Sequence, residues 1–233
     1  MNFNKFLEQL FLPVNVNCNH CQRESIYKYG ICKECYDQLK KPEGDRCEIC
    51  MDRINTEGLC SACFNKRPAY KKLFCGFIYH GPLKKMIIRL KASNCQYMKY
   101  PFSEIALDAI PKEIFDKLTI ITAVPSSAQR LWDRGYNQAQ LIAEEISEKT
   151  SIPYKDTLIR LDDAKTSKLN KAERLKSIKN QYYFACSVLG ETVLLVDDVC
   201  TTGSTLRECA KMLKKAGAKE IYCFTVARTE LKK

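Results

Sequence analysis

Residues Val193 to Leu206 read VLLVDDVCTTGSTL. Four apolar residues, two adjacent carboxylates and a run of Thr, Gly and Ser follow one another there. The Val/Leu run suits a buried strand of a parallel sheet. Folding alone does not account for the remainder, because Asp197 and Asp198 repel each other and Thr201 to Thr205 bury little apolar area. The order fits a strand ending in carboxylates, then a turn that opens a helix at Ser204. Backbone N–H groups converge at such a helix start, Gly203 allows close backbone approach, and the helix dipole favours an anion. Hydroxyls of Thr201, Thr202, Ser204 and Thr205 add donors, so the turn reads as a phosphate cradle. The carboxylates are suited to accept from a diol or to attract hydrated Mg²⁺. Phosphate plus diol means a sugar phosphate, most simply a ribose 5-phosphate group. Neither GxxxxGK[ST] nor GxGxxG occurs at this place, which argues against a Walker-type or dinucleotide site.

Outward from this stretch, strands and helices alternate. KLFCGFIYHG, LTIITAV (Leu118 to Val124), VLLV and EIYCFTVAR read as strands. PLKKMIIRLKA (helix start at Pro82), PFSEIALDAI, NQAQLIAEEISEKT and Ser204 to about Lys215 read as helices. The fold class is therefore α/β, with a mainly parallel, doubly covered sheet, and ligands of such sheets sit beyond the carboxyl ends of the strands. This domain spans residues 70–233.

Residues 1–69 form a second unit. Four CxxC pairs lie there: Cys18/Cys21, Cys32/Cys35, Cys47/Cys50 and Cys60/Cys63. Each presents two thiolates to a tetrahedral Zn²⁺, so four pairs imply two closed, structural Zn(Cys)₄ sites, with the pairs taken in sequence order. A disulfide framework is disfavoured because no export signal precedes the cysteines. The chain reads as cytoplasmic. Most of the other cysteines, Cys200 included, read as small buried apolar residues. Before the first knuckle, Phe3, Phe6, Leu7, Leu10 and Phe11 share one helical face, which suits docking on the protein's own body, a membrane surface or a partner.

The net charge of +11 is uneven. Residues 1–69 carry 10 Lys/Arg against 9 Asp/Glu, leaving 28 against 18 for the rest of the chain. That excess favours anionic partners, either phosphorylated small molecules or nucleic acid. Lys165, Lys168, Lys171 and Arg174 recur in residues 161–181. This segment suits a solvated surface, a mobile lid over pyrophosphate, or a strip for single-stranded DNA.

VLLVDDVCTTGSTL resembles the phosphoribosyl-pyrophosphate (PRPP) motif of type I phosphoribosyltransferases. VPSSAQRLWDRGYNQAQLIAEEI, LIRLDDAKTSKLNKAERL and the four-knuckle N-terminus resemble the ComF family of competence proteins, over almost the whole chain. The resemblance implies a ComFC-like component of DNA uptake in natural transformation, carrying a double zinc ribbon and a phosphoribosyltransferase domain. It implies a catalytic set of Asp197, Asp198 and Arg134. PRPP or ribose 5-phosphate, with Mg²⁺, would bind Ser126, Ser127, Asp197, Asp198, Thr201, Thr202, Gly203, Ser204 and Thr205. By the same resemblance Arg134 would be the pyrophosphate clamp, since guanidinium meets phosphate bidentately. Asn137 and Gln138 serve equally as ligand contacts or as supports of the following helix, and Lys91 matches a family lysine of underived role. Thr166 and Ser177 depart from the family pattern. No histidine falls in a site motif, and the acceptor is not legible. The alternative is a non-catalytic zinc-ribbon adaptor that holds single-stranded DNA or a DNA-uptake helicase at the cytoplasmic face of the membrane. In the absence of another hood, the ribbons are expected to border the sugar-phosphate cleft.

Overall fold

A computed structural model describes residues 17–54, 58–92, 95–160 and 182–230. The apolar face Phe3 to Phe11 and the segment 161–181, with its basic residues, Thr166 and Ser177, lie outside them.

Four parallel strands form the central sheet: β1 (Lys72–Ile78), β2 (Ile120–Ala123), β5 (Thr192–Cys200) and β6 (Glu220–Arg228), in the order β1-β6-β5-β2. β3 (Leu158–Arg160) and β4 (Tyr182–Phe184) make a separate antiparallel pair. The cysteine module contributes two single-turn helices, α1 (Lys33–Tyr36) and α2 (Ser61–Asn65). The larger unit adds α3 (Gly81–Leu90), α4 (Lys99–Ala109), α5 (Lys112–Phe115), α6 (Ala128–Arg134), α7 (Gln138–Thr150) and α8 (Ser204–Lys215).

Alternation along β5 divides the core. Leu194 and Val196 face one layer, with Met86 and Ile87 of α3, Phe102 and Ile105 of α4, and Ile142 and Ile146 of α7. Val193 and Leu195 face the other, against Leu206, Cys209, Ala210 and Leu213 of α8. Both faces of the strand are covered, which is why its sequence is an unbroken apolar run. Each leucine buried in this way contributes about 1.5–3 kcal/mol.

The module closes the sheet's β1 edge. Leu73 N–H donates to Ile49 O and Ile78 N–H to Lys40 O, each at 2.7 Å. The cysteines of the first group join the α3/α4/α7 layer, and those of the second join the α8 layer. The module thus clasps the sheet at one side.

One boundary differs from the sequence expectation. β5 does not stop at Val196 but runs through the acidic doublet to Cys200. β6 is long enough to keep pairing, with Asp197 opposite Thr225 and Cys200 opposite Arg228. On the other side, β2 stops pairing where Ala123 meets Val196.

Candidate ligand cleft and metal centres

That mismatch opens the cleft. Val124 N–H makes the last bond to β5, at Val196 O (2.9 Å), and the chain then turns away at Pro125. Beyond this point Asp197 and Asp198 have a strand neighbour only on the β6 side. The cavity left at the carboxyl ends of β2, β5 and β6 measures about 460 Å³. Among the described residues, Lys91, Arg130, Arg134 and Arg160 line it with Asp197 and Asp198, four cationic side chains against two carboxylates. This balance suits a polyanion that carries a polar, hydroxylated centre.

Asp197 Oδ1 accepts from Asp198 N–H (2.9 Å), and Asp198 Oδ1 accepts from Val199 N–H (2.8 Å). Lys91, just past α3, holds Asp198 Oδ2 at 2.9 Å. Burial, and then the neighbouring charge of Asp198, push the Asp197 carboxyl well above the usual carboxylate range.

Thr201 and Thr205 line the cavity from the loop that follows. Gly203 sits at φ 75°, a left-handed conformation that glycine adopts without strain, and no side chain caps α8. Ser204 N–H has only a long contact to Thr202 Oγ1 (3.4 Å), whose hydroxyl meets Ser204 Oγ at 2.9 Å. Thr202, Gly203 and Ser204 thus shape the loop without lining the cavity, while the N-terminus of a twelve-residue helix remains open to an anion.

The opposite wall comes from Ser126 and α6. Ser127 does not line the cavity; its Oγ accepts Arg130 N–H (3.3 Å) and caps α6. Arg130 and Arg134 both reach the cleft. Asn137 is occupied structurally: Oδ1 accepts from Ser126 Oγ (3.0 Å) and Ala139 N–H (3.1 Å), and Nδ2 donates to Val124 O (2.9 Å). Gln138 differs. Its Oε1 accepts from Arg134 Nη1 (3.0 Å), and since a guanidinium can only donate, the amide orientation is fixed. Nε2 is left buried without a partner, in a residue that lines the cleft. The sequence left these two residues with the same alternatives; the geometry separates them.

Sequence reasoning missed a third wall. Arg160 and Tyr182 enter from β3 and β4, with the guanidinium 5.6 Å from the ring centroid. Tyr79 and Thr229, past the ends of β1 and β6, complete the lining together with Arg130. The aromatic run Tyr182-Tyr183-Phe184 was the available strand signal. Burial pushes the Cys200 thiol up to about 11, which disfavours the thiolate that a nucleophile requires.

The eight knuckle cysteines fall into two groups in sequence order, Cys18/Cys21/Cys32/Cys35 and Cys47/Cys50/Cys60/Cys63, each with its sulfurs within 4.8 Å of one another. Cys21 and Cys32 Sγ lie 3.6 Å apart, as do Cys50 and Cys60 Sγ. A tetrahedron with Zn–S of about 2.3 Å requires S···S of about 3.8 Å, so both groups fit structural zinc. His20 and Cys21 N–H groups point at Cys18 Sγ (3.4 and 3.5 Å), as amides of a thiolate knuckle do. Four thiolates saturate each ion, leaving no position for substrate.

The ribbons do not border the cleft as expected: among the described residues, none of the cysteine module lines it. Bonding to the β1 edge holds the module aside, and its second group lies behind the anion loop, against α8.

Comparison with known proteins places these features in context. Residues 135–232 match the phosphoribosyl transferase domain family. The chain is 31% identical over 225 residues to competence protein F of Haemophilus influenzae, covering 92% of this chain and 97% of that protein. It is 29% identical over 211 residues to competence protein ComFC of Bacillus subtilis (85% of this chain, 84% of that protein). With the DNA utilization protein YhgH of Escherichia coli it shares 26% over 208 residues (86% and 91%).

Proposed function

The chain belongs to the ComF family of competence proteins, and on that premise we propose that its cleft binds PRPP or ribose 5-phosphate in the service of DNA uptake. The supporting observation is the contrast between two facing walls of one cavity. An acidic doublet and an uncapped helix start form one wall, and paired arginines form the other. In this reading the 5′-phosphate sits on the Thr201–Thr205 loop and the ribose hydroxyls on Asp197 and Asp198. The pyrophosphate lies against Ser126, Arg130 and Arg134.

Mg²⁺ is compatible with this set. Two carboxyls, one engaged by Lys91, form no complete cation cage, and Mg²⁺ commonly takes one or two carboxylates plus the phosphates of its ligand. Asp197 and Asp198 are the residues to hold it, and when bound it would neutralise charge on the pyrophosphate. The chain's own residues position the anomeric carbon and supply donors for departing charge. In the transfer itself the C1–oxygen bond to pyrophosphate breaks, a bond from C1 to an acceptor nitrogen forms, and the nitrogen's proton passes to solvent.

Titration calorimetry tests the binding. PRPP with Mg²⁺ is expected to bind more tightly than ribose 5-phosphate or pyrophosphate alone. Absence of heat with all three overturns the reading.

One observation favours a second activity alongside the first. Trp132 on α6 is 88% exposed, next but one to the cleft-lining Arg130 and Arg134. Two positions from each arginine on one helix, its ring projects from a different face of α6, and an exposed ring of this kind suits base stacking, as single-stranded DNA binding requires. Replacing Lys165, Lys168 and Lys171 by Ala should weaken such binding and flatten its salt dependence; unchanged affinity and slope exclude the strip. Joint Asp197→Asn and Asp198→Asn replacement separates the roles, because an adaptor keeps DNA uptake whereas a ligand-dependent protein loses it. A helicase partner and a site of action at the inner membrane face belong to this same reading. Among the described residues, no helix is long and apolar enough to cross a membrane.

A further inference from the structure

The loop Thr201 to Leu206 is held from behind at both ends. Before it, buried Cys200 receives Arg228 Nη1 on its sulfur (3.0 Å), and the same Nη1 donates to Cys50 O (3.0 Å) in the second cysteine group. Arg228 Nη2 also meets Asp52 Oδ1 at 3.1 Å, two residues past Cys50. After the loop, Arg207 in the first turn of α8 donates through Nη2 to Cys63 Sγ (3.0 Å) and through Nη1 to Lys66 O (3.0 Å). Both flanks of the loop are therefore tied by guanidinium groups to residues of one zinc-fitting tetrad, through the Cys50 carbonyl on one side and the Cys63 sulfur on the other. Cys200 Sγ also lies under the turn, 3.7 Å from where a Gly203 side chain would begin.

Among the described residues, the first group has no such tie to the loop. Its guanidinium link is Arg89, which donates to Asn19 O (2.6 Å) and to Tyr97 Oη (3.0 Å), on the other layer of the core.

We propose that the second cysteine tetrad is the positioning frame of the anion loop, with Arg207 as the residue that transmits it. A guanidinium bonded to a thiolate is a charge-assisted contact, and its second arm to Lys66 O fixes the direction of α8's first turn. The loop offers its ligand backbone donors, whose value depends on their being held in place before the ligand arrives. The two tetrads thus have different duties: the second shapes the cleft from outside it, and the first supports the fold. The inference rests on the proposed ribose-phosphate site, but its test does not stand or fall with it.

The test compares Arg207→Gln with Arg89→Gln, each a single guanidinium removed beside one tetrad. Ribose 5-phosphate and inorganic pyrophosphate are titrated by calorimetry, zinc is counted by mass spectrometry, and hydrogen exchange is followed at residues 201–206. Arg207→Gln is expected to speed exchange in that loop and to weaken ribose 5-phosphate by about 5–10-fold, the loss of one charge-assisted bond. Pyrophosphate affinity, set by the α6 wall, should stay unchanged, and zinc should stay at two per chain. Arg207→Lys, which keeps the charge but not the fork, should recover part of the loss. Arg89→Gln should leave loop exchange and both affinities as they were. Unaltered loop exchange in Arg207→Gln overturns the proposal, as does an equal fall in both affinities or an equal effect of Arg89→Gln. If the wild-type protein binds no ribose 5-phosphate, the proposed function fails, and loop exchange alone decides this inference.

Discussion

Lys91 and Asp198 meet across the mouth of the cleft, Nζ to Oδ2 at 2.9 Å, although they come from opposite ends of the larger unit. The contact ties the residue after α3 to the acidic end of β5. It sets how much negative charge the doublet presents, because the Lys91 charge also acts to lower the Asp197 carboxyl. Lys91→Met should raise the Asp197 carboxyl further and weaken ribose 5-phosphate several-fold, because the carboxylates proposed to hold the ribose hydroxyls lose the cation that fixes Asp198. Carbon NMR of the two carboxyls as a function of pH, with calorimetry beside it, checks both effects.

Asp197 should cost the ligand-free protein stability. Its carboxyl is raised on folding, so the folded state retains a proton that the unfolded chain, near the ordinary aspartate pKa of about 3.9, releases. The neutral form's contribution is therefore complete below that value and fades as pH climbs toward the raised folded pKa. Asp197→Asn avoids this loss, so its melting temperature should exceed wild type by about 2–4 °C at neutral pH, and by less at pH 4. Binding of ribose 5-phosphate should fall in the same variant. Thermal melts across this window decide the point, and a variant less stable at pH 7 contradicts it.

Gln138→Leu separates a ligand-facing donor from a structural one. The wild-type Nε2 makes no protein hydrogen bond, so the replacement sacrifices only the contact from Arg134. Melting temperature should move by no more than about 2 °C, whereas pyrophosphate and PRPP should bind several-fold more weakly. A large fall in stability with affinity intact would assign Gln138 to the fold.

Metal content should fall in whole steps. Cys35→Ser and Cys63→Ser each disable one tetrad, so zinc per purified chain should drop from two to one in each variant. A single replacement that removes both ions would mean that the two tetrads form one cooperative unit.

The sequence made the Thr/Gly/Ser loop and the two cysteine tetrads visible because each has a local signature. An apolar run, a carboxylate doublet and a Thr/Gly/Ser turn are contiguous, and CxxC pairs are spaced for a tetrahedron. The helix expected from Ser204 to Lys215 has those bounds in the structure. What escaped depends on residues far apart in the chain. β5 continues to Cys200 because β6 continues beside it, a pairing that Asp197 and Asp198 do not announce. Arg160 and Tyr182 are paired in β3 and β4 across the stretch 161–181, and in the sequence each is only a residue near a charged segment. Arg207 and Arg228 belong to an amphipathic helix and a buried strand, and their link to the cysteines exists only once both layers are assembled. Asn137 and Gln138, adjacent in the sequence, separate only when their partners are known.

The backbone bonds that Ile49 and Lys40 make to β1 have a consequence outside the cleft. β1 is the outermost strand of its sheet, and its residues Leu73, Phe74, Cys75, Phe77 and Ile78 are buried. An uncovered edge of that composition is a template for a neighbouring molecule's strand. Chelation should therefore convert a monodisperse preparation into strand-paired aggregates that seed on β1. The metal would then act, before any question of ligand, as the guard that keeps one copy of this chain from adhering to the next.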